Sequence, residues 1–307
     1  MGRGDLCVGD IDNAEEAERL ATIQGLLGAD DWAQVMAGYG LLRAQGTPAM
    51  GQALCRGLEL SPDGHLLLDD DVGAVPHLQS ERHGDAVALL ILRATGRLDG
   101  VEVIDLHQRR RLTNVDALTG LTGLKRLSLQ GCSRLTRLDG LAGLTGLEHL
   151  DLTMCTGVET YSALSALSGL RNLEMGPCFH LTEVDALAGL HALVQLDLSY
   201  CEALVNLDGL TALKHLASLN LSDCAALTHV DGLAGATALT SLDLGSCQGL
   251  VNIDAIAHLD QLAMLDLTGC TALEPAAWQR RYRGGPQCDA LRSELRQRAL
   301  VRGYETR

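Results

Sequence analysis

The chain has 307 residues, enough for one large domain or two ordinary ones and for a sizeable core. Hydrophobic residues make up 47% of it but aromatics only 3%, so Leu and Ala must build the core through many small contacts. A formal charge of −15 excludes a general nucleic-acid binder, because phosphate affinity needs a basic surface, and it suits a protein whose partners are basic.

The opening MGRGDLCVGDIDNAEEAERL is acidic and has no apolar h-region, so it does not read as a secretory signal. Leu6 stands where N-myristoylation wants Ser or Thr, and no apolar run approaches the roughly 18 residues a membrane span needs. The RGD at Arg3 to Asp5 reads as a frayed terminus rather than an adhesion motif. The expectation is a cytoplasmic protein, free of membrane, whose thiols stay reduced.

Residues 1–98 form the first unit and predict a mainly helical capping region. NAEEAERLATIQGLLG, DDWAQVMAGYGLLRAQG and PAMGQALCRGLEL read as three short helices, with Asn13 and Asp30 as caps and Pro48 in a first turn. HLLLDDD reads as a brief strand and DAVALLILRA as a helix over Asp85 to Ala94. The expected task is to cover the open end of the repetitive unit that begins near residue 100; a separate recognition domain is the alternative. Cys7 and Cys55 have no convincing partner, and no G-x-S-x-G, glycine-rich phosphate loop or HExxH occurs. No catalytic residue, cofactor or metal is therefore expected.

From Val101 a 23-residue unit repeats eight times, with later copies starting at Leu124, Leu147, Leu170, Leu193, Leu216, Leu239 and Leu262. The template is LxxLxLxxCxxLxxLxxLxxLxx. In LKRLSLQGC, Leu127 and Leu129 alternate with Arg126, Ser128 and Gln130, the period-two pattern of a half-buried strand. Past the cysteine, Leu135, Leu138, Leu141 and Leu144 recur every third residue, which suits a 3₁₀-like or short helical return. One such coil cannot bury its own leucines, whereas stacked coils bury each other's. Eight strands at about 4.8 Å spacing make a sheet roughly 35 Å long.

This template resembles bacterial-type members of the leucine-rich-repeat family, with Cys where many members carry Asn, over roughly residues 101–275. The resemblance implies an α/β solenoid spanning residues 99–275, with a curved parallel sheet on the concave face and short helical or 3₁₀ returns on the convex face. It also implies a non-enzymatic module that binds a protein through the concave face and its rims. A structural or assembly subunit, and an enzyme-associated subunit with activity in the N-terminal region, are the alternatives.

Three columns of the repeat carry polar or reactive groups. Cys132, Cys155, Cys178, Cys201, Cys224, Cys247 and Cys270 fall where each strand ends, and they read as a buried ladder of free thiols. Paired C-x2-C ligands are absent, and the Cys178–His180 pair occurs in one copy only. Asp116, Asp139, Asp185, Asp208, Asp231 and Asp254, with Ser162 in the same place once, read as N-caps of the return segments. Asp105, Ser128, Asp151, Glu174, Asp197, Asn220, Asp243 and Asp266 form an outward acidic stripe, either solvated background or a docking face.

The middle coils add scarce large side chains at the turns: Met154, Pro177, Phe179 and Tyr200. With the outward strand residues Arg126, His149, Asn172 and Gln195, and with Asp151, Glu174 and Asp197, they make the candidate contact surface for a protein partner. Residues 276–307 hold an Arg-rich tail, eight arginines from Arg280 to Arg307 against Asp289, Glu294 and Glu305. It reads as a C-terminal cap, with Trp278 and Tyr282 over the last coil and a polar helix over about Asp289 to Val301. Self-association through those arginines is the alternative.

Overall fold

The computed structural model describes residues 14–55, 58–61, 64, 66–68 and 83–305. Three helices come first: α1 (Ala14–Leu27), α2 (Trp32–Gln45) and α3 (Pro48–Leu54). Asp31, not Asp30, caps α2, its side chain accepting from the Ala33 N–H, because it is the residue that directly precedes the helix. The cap expected at Asn13 lies outside the described residues. Thr47 caps α3 by accepting from the Met50 N–H, and Pro48 takes the first helical position, where its missing N–H costs nothing.

The third helix stops six residues earlier than the sequence suggests. Leu58 and Leu60 alternate at strand spacing, and β1 (Leu58–Leu60) pairs antiparallel with β2 (Leu66–Leu68). Then α4 (Gly84–Ala94) runs with every residue from Gly84 to Leu92 buried, as a helix apolar on all sides must. It packs against α2, α3 and the first 3₁₀ turn of the repeats.

The repeats supply eight parallel strands: β3 (Val103–Asp105), β4 (Arg126–Ser128), β5 (His149–Asp151), β6 (Asn172–Glu174), β7 (Gln195–Asp197), β8 (Ser218–Asn220), β9 (Ser241–Asp243) and β10 (Met264–Asp266). Each pairs with the next without a register slip, so Arg126 sits opposite His149, His149 opposite Asn172 and Asn172 opposite Gln195. Every template position of the copy beginning at Leu124 is buried, from Leu124 itself through Cys132 to Leu144. The returns are 3₁₀ turns, such as Asp116–Leu118, Asp139–Leu141 and Asp208–Leu210. The chain is a leucine-rich-repeat solenoid.

The Asp column does not cap these turns. The cap positions belong to Val115, Leu138, Val184, Leu207, Val230 and Ile253, none with a side-chain cap bond, and Asp116, Asp139, Asp185, Asp208, Asp231 and Asp254 are the first residues inside the turn. Ser162 likewise follows Tyr161. The turn holds through backbone bonds instead: the Thr119 N–H donates to Asp116 O, and the Leu118 N–H to Val115 O. The aspartates keep the favourable electrostatics of a first-turn acid and are free to pair outward, as Asp116 does with Arg137 at 3.0 Å.

Both sheet edges are closed by flanking chain. At the β3 edge the Asp105 N–H donates to Gly64 O at 2.7 Å. Gly64 has φ +86°, and a Cβ there would meet Val103 O at 2.2 Å, so only glycine can approach this closely. At the far edge β11 (Arg281–Arg283) pairs antiparallel with β10, an element not expected from the sequence. Helix α5 (Gly285–Glu305) starts four residues before the expected Asp289. Trp278 and Tyr282 are buried against the last coil. The Arg292 Nη1 donates to Leu259 O and Leu262 O, both at 3.0 Å, satisfying carbonyls just past the Asp254–His258 turn.

Candidate partner-binding surface

Register places the sequence-predicted residues together. Arg126, His149, Asn172 and Gln195 form one row across β4 to β7, and Ser128, Asp151, Glu174 and Asp197 form the next. Asn172 Nδ2 donates to Gln195 Oε1, and Asn220 Nδ2 donates to Asp197 Oδ2 at 3.0 Å, so neighbouring strands are tied through their exposed side chains. A shallow cleft of about 250 Å³ lies over β3 to β6 and includes Arg126, His149, Asp151, Asn172 and Glu174 in its lining.

The acidic stripe has a structural use that its charge alone does not reveal. Oδ1 of Asp105, Asp151, Asp197, Asn220, Asp243 and Asp266 each accepts the backbone N–H two residues on, at 2.8 to 3.0 Å. These are Asx turns that end six of the eight parallel strands and start the bend that follows. The signal was present in the sequence: Asn220 substitutes for Asp without breaking the pattern, as a hydrogen-bond acceptor can and a charge cannot.

Glu174 breaks it. Its side chain is one methylene too long for the Asx geometry, and among the described residues that side chain makes no hydrogen bond or ion pair. It lies in register between Asp151 and Asp197. Partial burial, and then the charges of Asp151 and Asp197, push its carboxyl above the usual range. Asp266, at the end of the row, has the opposite balance. Burial raises it, but hydrogen bonds from Thr268 and the ion pair with Arg281 outweigh that and hold it low.

The rim beyond the strands is a left-handed column. Gln108, Met154, Tyr200, Asp223 and Ser246 have φ between 59° and 61°, and the equivalent Gly131 and Gly269 have φ 74° and 81°. This geometry lets one N–H per coil reach the next coil's carbonyl, as from Gly131 to Thr153 O, Met154 to Gly176 O and Tyr200 to Ser222 O. Pro177 occupies the same column and has no N–H to give. Met154, Phe179 and Tyr200 are 53%, 51% and 54% exposed, although nothing in the solenoid requires large apolar groups there. Pro177 is half-buried between them.

The seven ladder cysteines are all buried and free. The Sγ–H of Cys132, Cys155, Cys224, Cys247 and Cys270 donates to the carbonyl 26 residues earlier, in the preceding coil, at 3.0 to 3.3 Å. Burial pushes the Cys132 and Cys224 thiols up to about 12 and Cys270 to about 11. The pattern has one fault. Cys178 donates to Met175 O in its own coil, the carbonyl that the 26-residue spacing assigns to Cys201. The Cys201 thiol meets Cys178 instead, and that contact together with burial pushes it up. Cys178 faces the core while His180 is exposed, so the two do not converge. Among the described residues, no group of three or more His, Cys, Asp or Glu could hold a metal, and no helix is long and apolar enough to cross a membrane.

A repeat solenoid with one irregular, apolar rim is the class these features define. No protein-family model and no curated protein matches the chain. Among solved structures it is similar to an internalin C2 of Listeria monocytogenes, at 24% identity over 59% of this chain and 81% of that one, with a TM-score of 0.47. An internalin inlF of the same organism is 17% identical over 82% of both chains, with a TM-score of 0.43. The functional domain of InlJ from Listeria monocytogenes, which includes a cysteine ladder, is 24% identical over 57% of this chain and 38% of that one, at a TM-score of 0.41.

Proposed function

We propose that this chain is a non-enzymatic protein-interaction module that seats its partner on the sheet face and rim of the middle coils. The contact residues are Arg126, His149, Asp151, Asn172, Glu174, Gln195 and Asp197 on the face, with Met154, Pro177, Phe179 and Tyr200 on the rim. One observation carries the reading: Met154, Phe179 and Tyr200 are each about half exposed, in neighbouring coils, and besides Pro177 the column of Met154 and Tyr200 elsewhere holds only Gln108, Gly131, Asp223, Ser246 and Gly269. Large apolar and aromatic side chains that leave the core unsupported are what binding hot spots are made of.

The ends then act as caps, residues 1–98 over β3 and residues 276–307 over β10, with residues 99–275 between them as the solenoid. The tail arginines favour this over assembly through the C-terminus. Arg281 pairs with Asp266, Arg296 with Asp260, and Arg280 and Arg298 lie over the rings of Tyr282 and Trp278. Free, buried thiols fit a reducing, cytoplasmic setting.

The test is capture of a partner protein from native lysate by the immobilised chain. Changing Phe179 and Tyr200 together to Ala should abolish capture and leave the fold intact. Changing the exposed Val205 and Val251 to Ser, on the other side of the turn, should leave capture unaltered. Retained capture by the rim variant, with loss in the Val205/Val251 variant, would move the site to the other face.

A further inference from the structure

Glu174 stands apart from its row. Asp151 and Asp197 each commit Oδ1 to a backbone N–H, and Asp197 commits Oδ2 to Asn220. Glu174 commits neither oxygen among the described residues, and it faces two like charges on strands about 4.8 Å away. Its neighbours in the adjoining row, Asn172 and Gln195, are neutral. The basic residues of that row, His149 and Arg126, lie one and two strands off. The molecule itself shows how such a carboxylate is neutralised: at the end of the same row, Arg281 on the adjoining β11 pairs with Asp266. Among the described residues, neither strand flanking Glu174 brings an arginine to that row.

The second observation is independent of charge. From Glu174 to the rim is three residues, roughly 10 Å of extended chain, and there Met154, Phe179 and Tyr200 stand exposed. Extending the proposed function, and resting on it, we infer that the partner presents an extended basic stretch. A Lys or Arg of that stretch meets Glu174, and a large apolar side chain two or three positions away covers the Met154, Phe179 and Tyr200 rim. Complementarity of sign would also speed the encounter, since the chain carries −15 overall.

A random dodecapeptide display library, panned on the full chain, tests this. Enriched peptides should carry Lys or Arg two or three positions from Phe, Trp or Leu. Synthesised peptides should lose affinity roughly threefold on Glu174→Gln and roughly tenfold on Glu174→Lys, and binding should weaken as salt rises from 50 to roughly 500 mM. Enriched peptides without a basic residue, or with affinity indifferent to Glu174→Lys, overturn the inference. If such peptides still lose binding on Phe179→Ala/Tyr200→Ala, the surface stands and only the basic partner falls. Peptides indifferent to both variants, or no enrichment at all, count against both.

Discussion

Tyr200 can be used to separate what the fold needs from what a partner needs. Its φ of 59° is a left-handed conformation, which costs a non-glycine residue roughly 1–2 kcal/mol. Gly131 and Gly269 occupy the same column without that cost. Tyr200→Gly therefore relieves strain, but it loosens the unfolded chain by about 0.4–1 kcal/mol and gives up the contacts of a side chain already 54% exposed. The net change is close to zero, within about 1 kcal/mol. Tyr200→Ala keeps the strain and loses the same contacts, so it should be less stable than Tyr200→Gly by about 1 kcal/mol. Urea unfolding of the three proteins, followed by circular dichroism, reads the order directly, since unequal midpoints at equal slope report stability. An alanine variant as stable as the glycine variant would show that the column is unstrained. A loss beyond about 2 kcal/mol in the glycine variant would make the ring structural and remove the argument that it is displayed for a partner.

Three thiols of the column should be chemically silent: Cys132, Cys224 and Cys270, held at about 12, 12 and 11, should resist a thiol reagent at pH 8 in the native protein and react at once when it is unfolded. Rapid native labelling of these positions, read by mass spectrometry of peptides, would contradict the ladder. Gly64→Ala should cost at least about 2 kcal/mol and expose the β3 edge, seen as faster amide exchange at Asp105, because the added carbon meets Val103 O at 2.2 Å; unchanged exchange would show that Gly64 does not seal that edge. Asp266 is held below its ordinary value, so its stabilisation is fully present above the unfolded carboxylate pKa of about 4 and is lost as pH falls through the lower folded value. Asp266→Asn should flatten that acid limb of the stability profile, and an identical limb in both proteins would refute the assignment.

How much of this was legible in the sequence depends on whether one side chain does one job. The leucine and cysteine columns were legible because each copy meets the same buried surroundings, and Cys132 and Cys270 are both fully buried. The two aspartate columns were harder. Both precede a bend, and hydrogen bonding to a turn and capping a helix draw on the same residue types. The strand aspartates proved to be the turn formers, and the return aspartates proved to sit one residue inside their turns. β11 was hidden because Arg281, Tyr282 and Arg283 offer a single inward residue, too short a run to show alternation. The left-handed column was readable at Gly131 and Gly269, but Met154 and Tyr200 disguised it, since large residues seldom take that conformation. At the candidate surface the members could be named from the repeat phase alone. Only the structure separates Glu174, whose side chain has no partner among the described residues, from Asp151 and Asp197, which do.

Three departures from the repeat fall in one copy, and their position bears on function. In the copy beginning at Leu170, Glu174 forgoes the Asx bond, Pro177 forgoes the ladder N–H, and Cys178 turns to Met175 O and displaces Cys201. Each lost bond is worth about 1 kcal/mol to a fold whose stability is a sum over neighbouring coils. The three fall in one coil and flank the half-exposed Phe179, between Met154 in the coil before and Tyr200 in the coil after. Local rules broken together beside displayed apolar groups are characteristic of sites kept for binding. The stability given up there is available because coils nearby keep the regular bonds, with Cys155 held to Leu129 O in the coil before and Cys224 to Leu198 O two coils after.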